Sequence, residues 1–234
     1  MNQLDDPRIA RGMNAQFGWR RERLDAGEWP IGWKAGFGAP AAMELLGISA
    51  PLVGFLTDRA RVEPGATVSI AGWIQPVVEP EIAIHLGADL GGGSDEETVR
   101  AAIAGLGVAF ELADLDPPPA DVEAVLAGNI YNRHVMLGPC VPARAGGRVD
   151  GLSATIGRNG EEFAATGELE ANTGPLVLVA REIADVIAGL GGLVKAGDVI
   201  IAGSVVPPVF VKDAAETVTF EVTGLGALTV TVER

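Results

Sequence analysis

The chain has 234 residues, 48% hydrophobic and 21% charged, a foldable composition of one or two domains and not a disordered one. Lys and Arg number 17 against 31 Asp and Glu, a formal charge of −14 that repels nucleic-acid phosphates and anionic lipid and argues against both as partners. Gly 32 and Pro 15 make about a fifth of the chain, above the usual ~12%, which argues for turns and short strands and against a helical bundle.

Met1-Asn2-Gln3-Leu4-Asp5-Asp6 has neither the basic nor the apolar region of a signal peptide. The single cysteine, Cys140, rules out an internal disulfide and fits a reducing compartment. No run of ~18 apolar residues occurs. The expectation is a soluble cytoplasmic protein with no membrane segment.

Asp6-Pro7 predicts a helix start, with Asp at the N-cap and Pro in the first turn, and Ile9, Met13 and Phe17 fall on one face. Residues 27–38 mix Gly27, Gly32, Gly36 and Gly38 with Trp29, Trp33, Lys34 and Phe37, a strand or tight loop, and a short helix follows at 40–46. From about residue 66 the texture turns to β. A boundary is therefore expected near residue 60, between a helical N-terminal subregion (1–60) and a β-rich body (61–234) within one compact unit. Strands are predicted at 66–70, 77–86, 108–113, 149–157 and 199–202, with a closing hairpin at 216–222 and 227–232. Ser94 and Glu97 form a capping-box pattern for a helix running through Val99, Ile103 and Leu106. Residues 175–190 predict an amphipathic helix ended by Gly191-Gly192. Strands outnumber helices without regular alternation, so the fold class is α+β with a mixed sheet.

The stretch from Gln75 to Leu86 carries the most chemistry. Split by strand parity, Val78, Pro80, Ile82, Ile84 and Leu86 form an apolar face, and Val77, Glu79, Glu81, Ala83 and His85 form the other. Two carboxylates then share a face about 7 Å apart, with no basic residue in the segment to pair them. Like charges so held favour protonation of one or a cation between them, and an all-oxygen ligand set suits Mg²⁺, Mn²⁺ or Ca²⁺. The strand Val108–Ala113 repeats the logic, with Glu111 alone between the small Ala109 and Ala113. The same pattern also fits glutamates 79 and 81 facing solvent with Glu111 paired to an arginine. His85 lies too far along the strand to share an ion with Glu81. Lys34, amid glycines, is a candidate anchor for a substrate carboxylate or a proton carrier, or else a snorkelling lysine.

Several segments then resemble one family in the right order. Gln75-Pro-Val-Val-Glu79-Pro-Glu81 is similar to the hallmark strand of the 2-keto-4-pentenoate hydratases and 4-oxalocrotonate decarboxylases, within the fumarylacetoacetate hydrolase superfamily. Gly32-Trp33-Lys34-Ala35-Gly36, Gly54-Phe55-Leu56-Thr57-Asp58, Ala109-Phe110-Glu111-Leu112, and the run from Lys195 through Asp198, Gly203 and Ser204 to Pro207-Pro208 resemble further family segments. The resemblance implies a twisted mixed β-roll with flanking helices, usually a homo-oligomer (a dimer or larger). It implies a Mg²⁺ or Mn²⁺ ion held by Glu79, Glu81 and Glu111, with Lys34 and Asp58 as catalytic groups: Lys34 offsets the substrate's charge and Asp58 moves protons. The implied substrates are 2-oxo acids or their 2-hydroxydienoate tautomers. The implied chemistry is hydration or decarboxylation, with C–C hydrolysis of acylpyruvates as the alternative and a non-catalytic partner subunit as another.

Two segments depart from the family pattern. Where the hydratases have Asp-Asn-Ala-Ser, this chain reads Gly128-Asn129-Ile130-Tyr131, then Asn132-Arg133-His134, and a Ser-x-Gly stretch is replaced by residues 164–170. Both are expected to line the pocket. Asn129, Tyr131, Arg133 and Ser204 are the candidate substrate contacts, and Arg133 or Tyr131 at the substrate's distal end would suit a longer or doubly acidic molecule.

Overall fold

A computed structural model describes residues 3–234; Met1 and Asn2, the start of the stretch read for a leader, lie outside the described residues. Helix α1 (Pro7–Asp25) begins as its sequence predicts. Asp6 is extended and its carboxylate accepts from the Arg8 N–H at 2.9 Å. Ile9 and Met13 are buried, and Phe17 stacks on Trp33. Gly12 lets α1 cross α4 (Val122–Ala127) closely, because a Cβ there would meet Leu126 Cβ at 2.7 Å.

Two sheets make up the rest. The strands are β1 (Pro30–Gly36), β2 (Leu52–Thr57), β3 (Arg61–Val62), β4 (Thr67–Ser69), β5 (Pro76–Leu86), β6 (Ile103–Asp114) and β7 (Asn132–Leu137), then β8 (Ala154–Arg158), β9 (Glu161–Thr166), β10 (Val199–Ser204), β11 (Val209–Phe210), β12 (Ala215–Val222) and β13 (Gly226–Glu233). The larger sheet runs β2-β1-β10-β5-β6-β7-β3, with β11 beside β5. Its β1–β10 and β3–β7 pairs are parallel and the others antiparallel. The smaller sheet runs β4-β13-β12-β8-β9, with β4 parallel to β13. Both sheets are mixed and, among the described residues, five α-helices flank them, the α+β roll expected. Besides α1 and α4 these are α2 (Pro40–Leu46), α3 (Glu96–Ala102) and α5 (Leu176–Gly189).

The larger sheet curls. Its end strands β2 and β3 are consecutive in the chain, joined by one turn at Asp58–Ala60. Leu56, Ala83, Ala109, Val135 and Ile201, from five different strands, pack into one buried cluster on the inner face. The outer face, with Val78, Ile82, Ile84, Phe110 and Leu112, belongs to the main core, where Phe110 meets Phe220 of the smaller sheet at 6.0 Å between ring centroids. The parity assigned to β5 thus separates the two sides of the roll. The edge of β2 is closed by side-chain amides in place of a strand. Gln16 donates to the Val53 carbonyl at 3.1 Å, while Asn129 accepts from the Phe55 N–H at 2.8 Å and donates to the Phe55 carbonyl at 2.9 Å.

Residues 1–60, expected as a helical subregion, contribute α1, α2 and also β1 and β2 of the larger sheet, because the Gly-rich 30–36 stretch and the apolar 52–57 stretch pair with each other. Helix α3 is capped by Asp95, whose carboxylate accepts from the Thr98 N–H, and not by Ser94. It ends at Ala102, since Ile103 already belongs to β6. No helix among the described residues is long and apolar enough to cross a membrane.

Candidate active site

The predicted carboxylates converge inside the roll. β5 and β6 are antiparallel neighbours in a register that sets Glu79 directly opposite Glu111, and Glu81 lies on the same face two residues on. One oxygen from each of the three lies within 4.8 Å of the others. Glu81 and Glu111 are buried and Glu79 is half-buried. On β1, Lys34 reaches the same point. Its Nζ donates to Glu111 Oε1 and, at 3.0 Å, to the Ile130 carbonyl. Asn132 at the start of β7 donates its Nδ2 to Glu111 Oε1 at 2.8 Å. A register slip in β10 between Ile201 and Ser204 turns the Gly203 N–H toward Glu81 Oε2, 2.6 Å away.

Three carboxylates around one ammonium leave an excess of negative charge out of water. Burial pushes the Glu79 carboxyl up to about 7, with Glu111 adding to the rise and Lys34 opposing it. Burial, then Glu111 and Glu79, push Glu81 well above the carboxylate range. Glu79 accepts no hydrogen bond from any described residue. Crowded acid oxygens, a half-open carboxylate and raised proton affinity are what a divalent cation would relieve, so the residues present fit one.

A cavity of about 200 Å³ opens from this cluster, below the range of drug-sized pockets. Lys34, Glu79 and Glu81 line it. Phe37, Ala39, Ala42, Leu115, Ile130, Tyr131 and Pro208 supply apolar wall, and Asn172, Thr173 and Ser204 are neutral polar groups in it. The chain enters this wall through three consecutive left-handed residues, Asn129 (φ 54°), Ile130 (φ 50°) and Tyr131 (φ 61°). Such a conformation costs roughly 1–2 kcal/mol per non-glycine residue, so the surroundings must hold it. The amide of Asn129 grips Phe55 on β2, and the Ile130 carbonyl receives Lys34. Two glycines make the room. A Cβ on Gly36 would meet Ile130 Cγ2 at 2.8 Å, and one on Gly54 would meet both Lys34 Cγ and Asn129 Oδ1 at 2.8 Å.

The expected site residues therefore divide. Glu79, Glu81, Glu111 and Lys34 come together, and Tyr131 and Ser204 line the cavity. Asp58 does not: it is exposed beyond the end of β2, where Oδ1 accepts from the Trp29 N–H at 2.8 Å. Lys34 pairs with Gly54, so a residue four further along β2 sits toward the opposite mouth of the roll. Asn129 braces the turn behind the wall and is absent from the lining. Arg133 points outward, 3.5 Å from Asp114 and over the Trp73 ring, because the β6–β7 register slips between His134 and Asn132, a bulge at Arg133 that turns Asn132 inward. Residues 164–166 lie in β9 of the smaller sheet; the cavity is lined instead by Asn172 and Thr173 just beyond the 164–170 segment. His85 is at the far mouth and His134 stacks on Trp73, so neither lines the cavity. Asn132 and the Gly203 amide were missed. Strict alternation from the inward Val135 would have turned Asn132 outward, and nothing in the sequence marks the slips in β7 and β10 that bring the two to the site.

Comparison with known proteins agrees with this fold. Residues 39–233 match the model of the fumarylacetoacetate (FAA) hydrolase C-terminal family. A 2-hydroxyhexa-2,4-dienoate hydratase of Comamonas testosteroni is 32% identical over 192 residues, covering 80% of this chain and 72% of the relative. A 4-oxalocrotonate decarboxylase of Pseudomonas putida is 26% identical over 230 residues, covering 97% and 86%. The structure of a 4-oxalocrotonate decarboxylase from Pseudomonas putida G7, complexed with magnesium and adipate, superposes with a TM-score of 0.87 at 25% identity, covering 99% of this chain and 90% of that one.

Proposed function

Because the chain belongs to the fumarylacetoacetate hydrolase C-terminal family, we propose that it is a divalent-metal-dependent lyase acting on a 2-oxo acid or its 2-hydroxydienoate tautomer, by hydration or decarboxylation. The observation that carries this is the meeting of Glu79, Glu81 and Glu111 beside Lys34 at a small cavity. The three glutamates would hold the ion, and their oxygen-only set suits Mg²⁺ or Mn²⁺. When bound, the ion supplies a Lewis acid for the negative charge that develops on the substrate's C2 oxygen.

The chain's own groups do the rest. Lys34 has three N–H donors, and two are directed at Glu111 and the Ile130 carbonyl. The third is free for the substrate carboxylate or for a proton on its way to or from the carbon skeleton. Asn132 fixes the Glu111 carboxylate and the Gly203 N–H fixes that of Glu81, so neither has to reorganise as charge builds. The apolar wall excludes water and strengthens each of these interactions. With Asp58 outside the cavity, proton transfer falls to Lys34 Nζ. The acylpyruvate hydrolase alternative is less supported, since no histidine lines the cavity to activate water. A cytoplasmic homo-oligomer is part of the same reading.

Oxalate, a planar mimic of a 2-oxo-acid enolate, tests it by calorimetry. Binding is expected with Mg²⁺ present and lost with chelator, and Glu81→Gln abolishes it. Oxalate binding that ignores the metal, or full metal-dependent turnover in Glu81→Gln, overturns the assignment, and metal-dependent oxalate binding without turnover on any 2-oxo acid would favour a non-catalytic subunit.

A further inference from the structure

Away from the glutamates the cavity carries no positive charge. Among the described residues lining it, Lys34 is the sole cation, and it is paired with Glu111. The apolar lining includes Phe37, Ala39, Ala42, Leu115, Tyr131 and Pro208. Tyr131 turns its hydroxyl away to donate to the Pro117 carbonyl at 2.8 Å, leaving its ring, edge-to-face with Phe37, as cavity wall. The neutral polar groups are also engaged: Asn172 donates to the Ser204 carbonyl at 3.4 Å, Thr173 to the Gly174 carbonyl at 3.0 Å and the Ser204 hydroxyl to the Pro80 carbonyl at 3.5 Å. Arg133, the cation nearest in sequence, lies outside against Asp114 and Trp73.

A second carboxylate placed against this wall would leave water and gain no ion pair, while a hydrocarbon end would gain by leaving water. We propose that the substrate is a 2-oxo monocarboxylate or its hydroxydienoate tautomer with an uncharged hydrocarbon end, and that Phe37, Leu115 and Tyr131 determine this specificity. The proposal rests on the lyase reading and narrows it. A substrate whose one carboxylate is bound at the glutamate end has no second to lose as CO₂. The reaction is then hydration: water's O–H bond breaks, one carbon of a double bond gains the hydroxyl and its neighbour the proton, with no oxidant or co-reactant.

The test is calorimetry on the full chain with Mg²⁺, using oxalate, 2-oxohexanoate and 2-oxoadipate. The last two have the same length and differ in the end carboxylate. Oxalate and 2-oxohexanoate should bind, and 2-oxoadipate at least about tenfold more weakly. Ala42→Arg, on the exposed helix α2, puts a cation at the wall and should raise the ratio of 2-oxoadipate to 2-oxohexanoate affinity by about tenfold or more; a ratio within one variant cancels any loss of folded protein. Wild-type binding of 2-oxoadipate as tight as 2-oxohexanoate, with oxalate binding intact, overturns this inference alone. Absence of metal-dependent oxalate binding overturns the lyase reading and this inference together.

Discussion

Asn129→Ala is the sharpest test of how the cavity is held. The Asn129 amide makes two hydrogen bonds to Phe55, at 2.8 and 2.9 Å, and both residues are buried. β2 is an edge strand, so no neighbouring strand stands ready to replace them. Two such bonds contribute about 2 kcal/mol net, and stranding the buried Phe55 N–H and C=O raises the loss toward ~4 kcal/mol. Alanine also tolerates φ 54° less well than asparagine, which adds roughly 1 kcal/mol. The expected loss is ~3–5 kcal/mol, read as a lower urea midpoint at unchanged slope. Asn129→Asp keeps the acceptor but sets a carboxylate oxygen against the Phe55 carbonyl, so it should cost as much despite its matching shape. Metal-dependent oxalate affinity should fall with either change, because the next residue's carbonyl receives Lys34. A loss below about 1 kcal/mol for Asn129→Ala would mean that the amide does not hold the turn, and the reasoning would fail.

The pH dependence of ion binding follows from Glu79. Its carboxyl is pushed up to about 7, so below that pH an incoming ion must displace a proton. Mg²⁺ affinity should climb by about tenfold or more per pH unit toward 7, and Glu79→Gln should bind more weakly with a flatter profile; a flat wild-type profile refutes this. Without metal the sign for stability is opposite. Between the ordinary carboxylate range and about 7 the folded chain binds more protons than the unfolded one, so the melting temperature should fall as pH rises through that window. Gly54→Ala drives a methyl to 2.8 Å from Lys34 Cγ and Asn129 Oδ1, and should cost ~1–3 kcal/mol on denaturation with weakened oxalate binding. An unchanged midpoint would mean that the site yields to the methyl.

Glu79, Glu81 and Glu111 were legible because strand parity is a local rule and the two strands that bear them are adjacent and in register. Lys34 was legible as a charged residue among glycines, although the reason for Gly36 and Gly54 appears only when the 129–131 turn is seen against them. Asp58 misled because a shared segment says which strand a residue ends, not which mouth of the roll that end faces. Arg133 misled for another reason. Even with a strand at 132–137, alternation from the inward Val135 would turn Arg133 inward, and the bulge that reverses it leaves Tyr131 alone of the two in the cavity wall. The Asn172–Thr173 contribution depends on the path of a connecting segment, which no periodicity encodes.

The clustered carboxylates sit in mid-strand, where each is fixed by neighbours on both sides, while the apolar lining comes largely from a short helix, a left-handed turn and connecting segments. Connecting segments accept replacement that sheets do not. The architecture therefore separates the choice of reactant from the choice of reaction. One small acid can be exchanged for another by rewriting a few residues at 37–42, 115 and 131, with the electron-withdrawing end left as it stands.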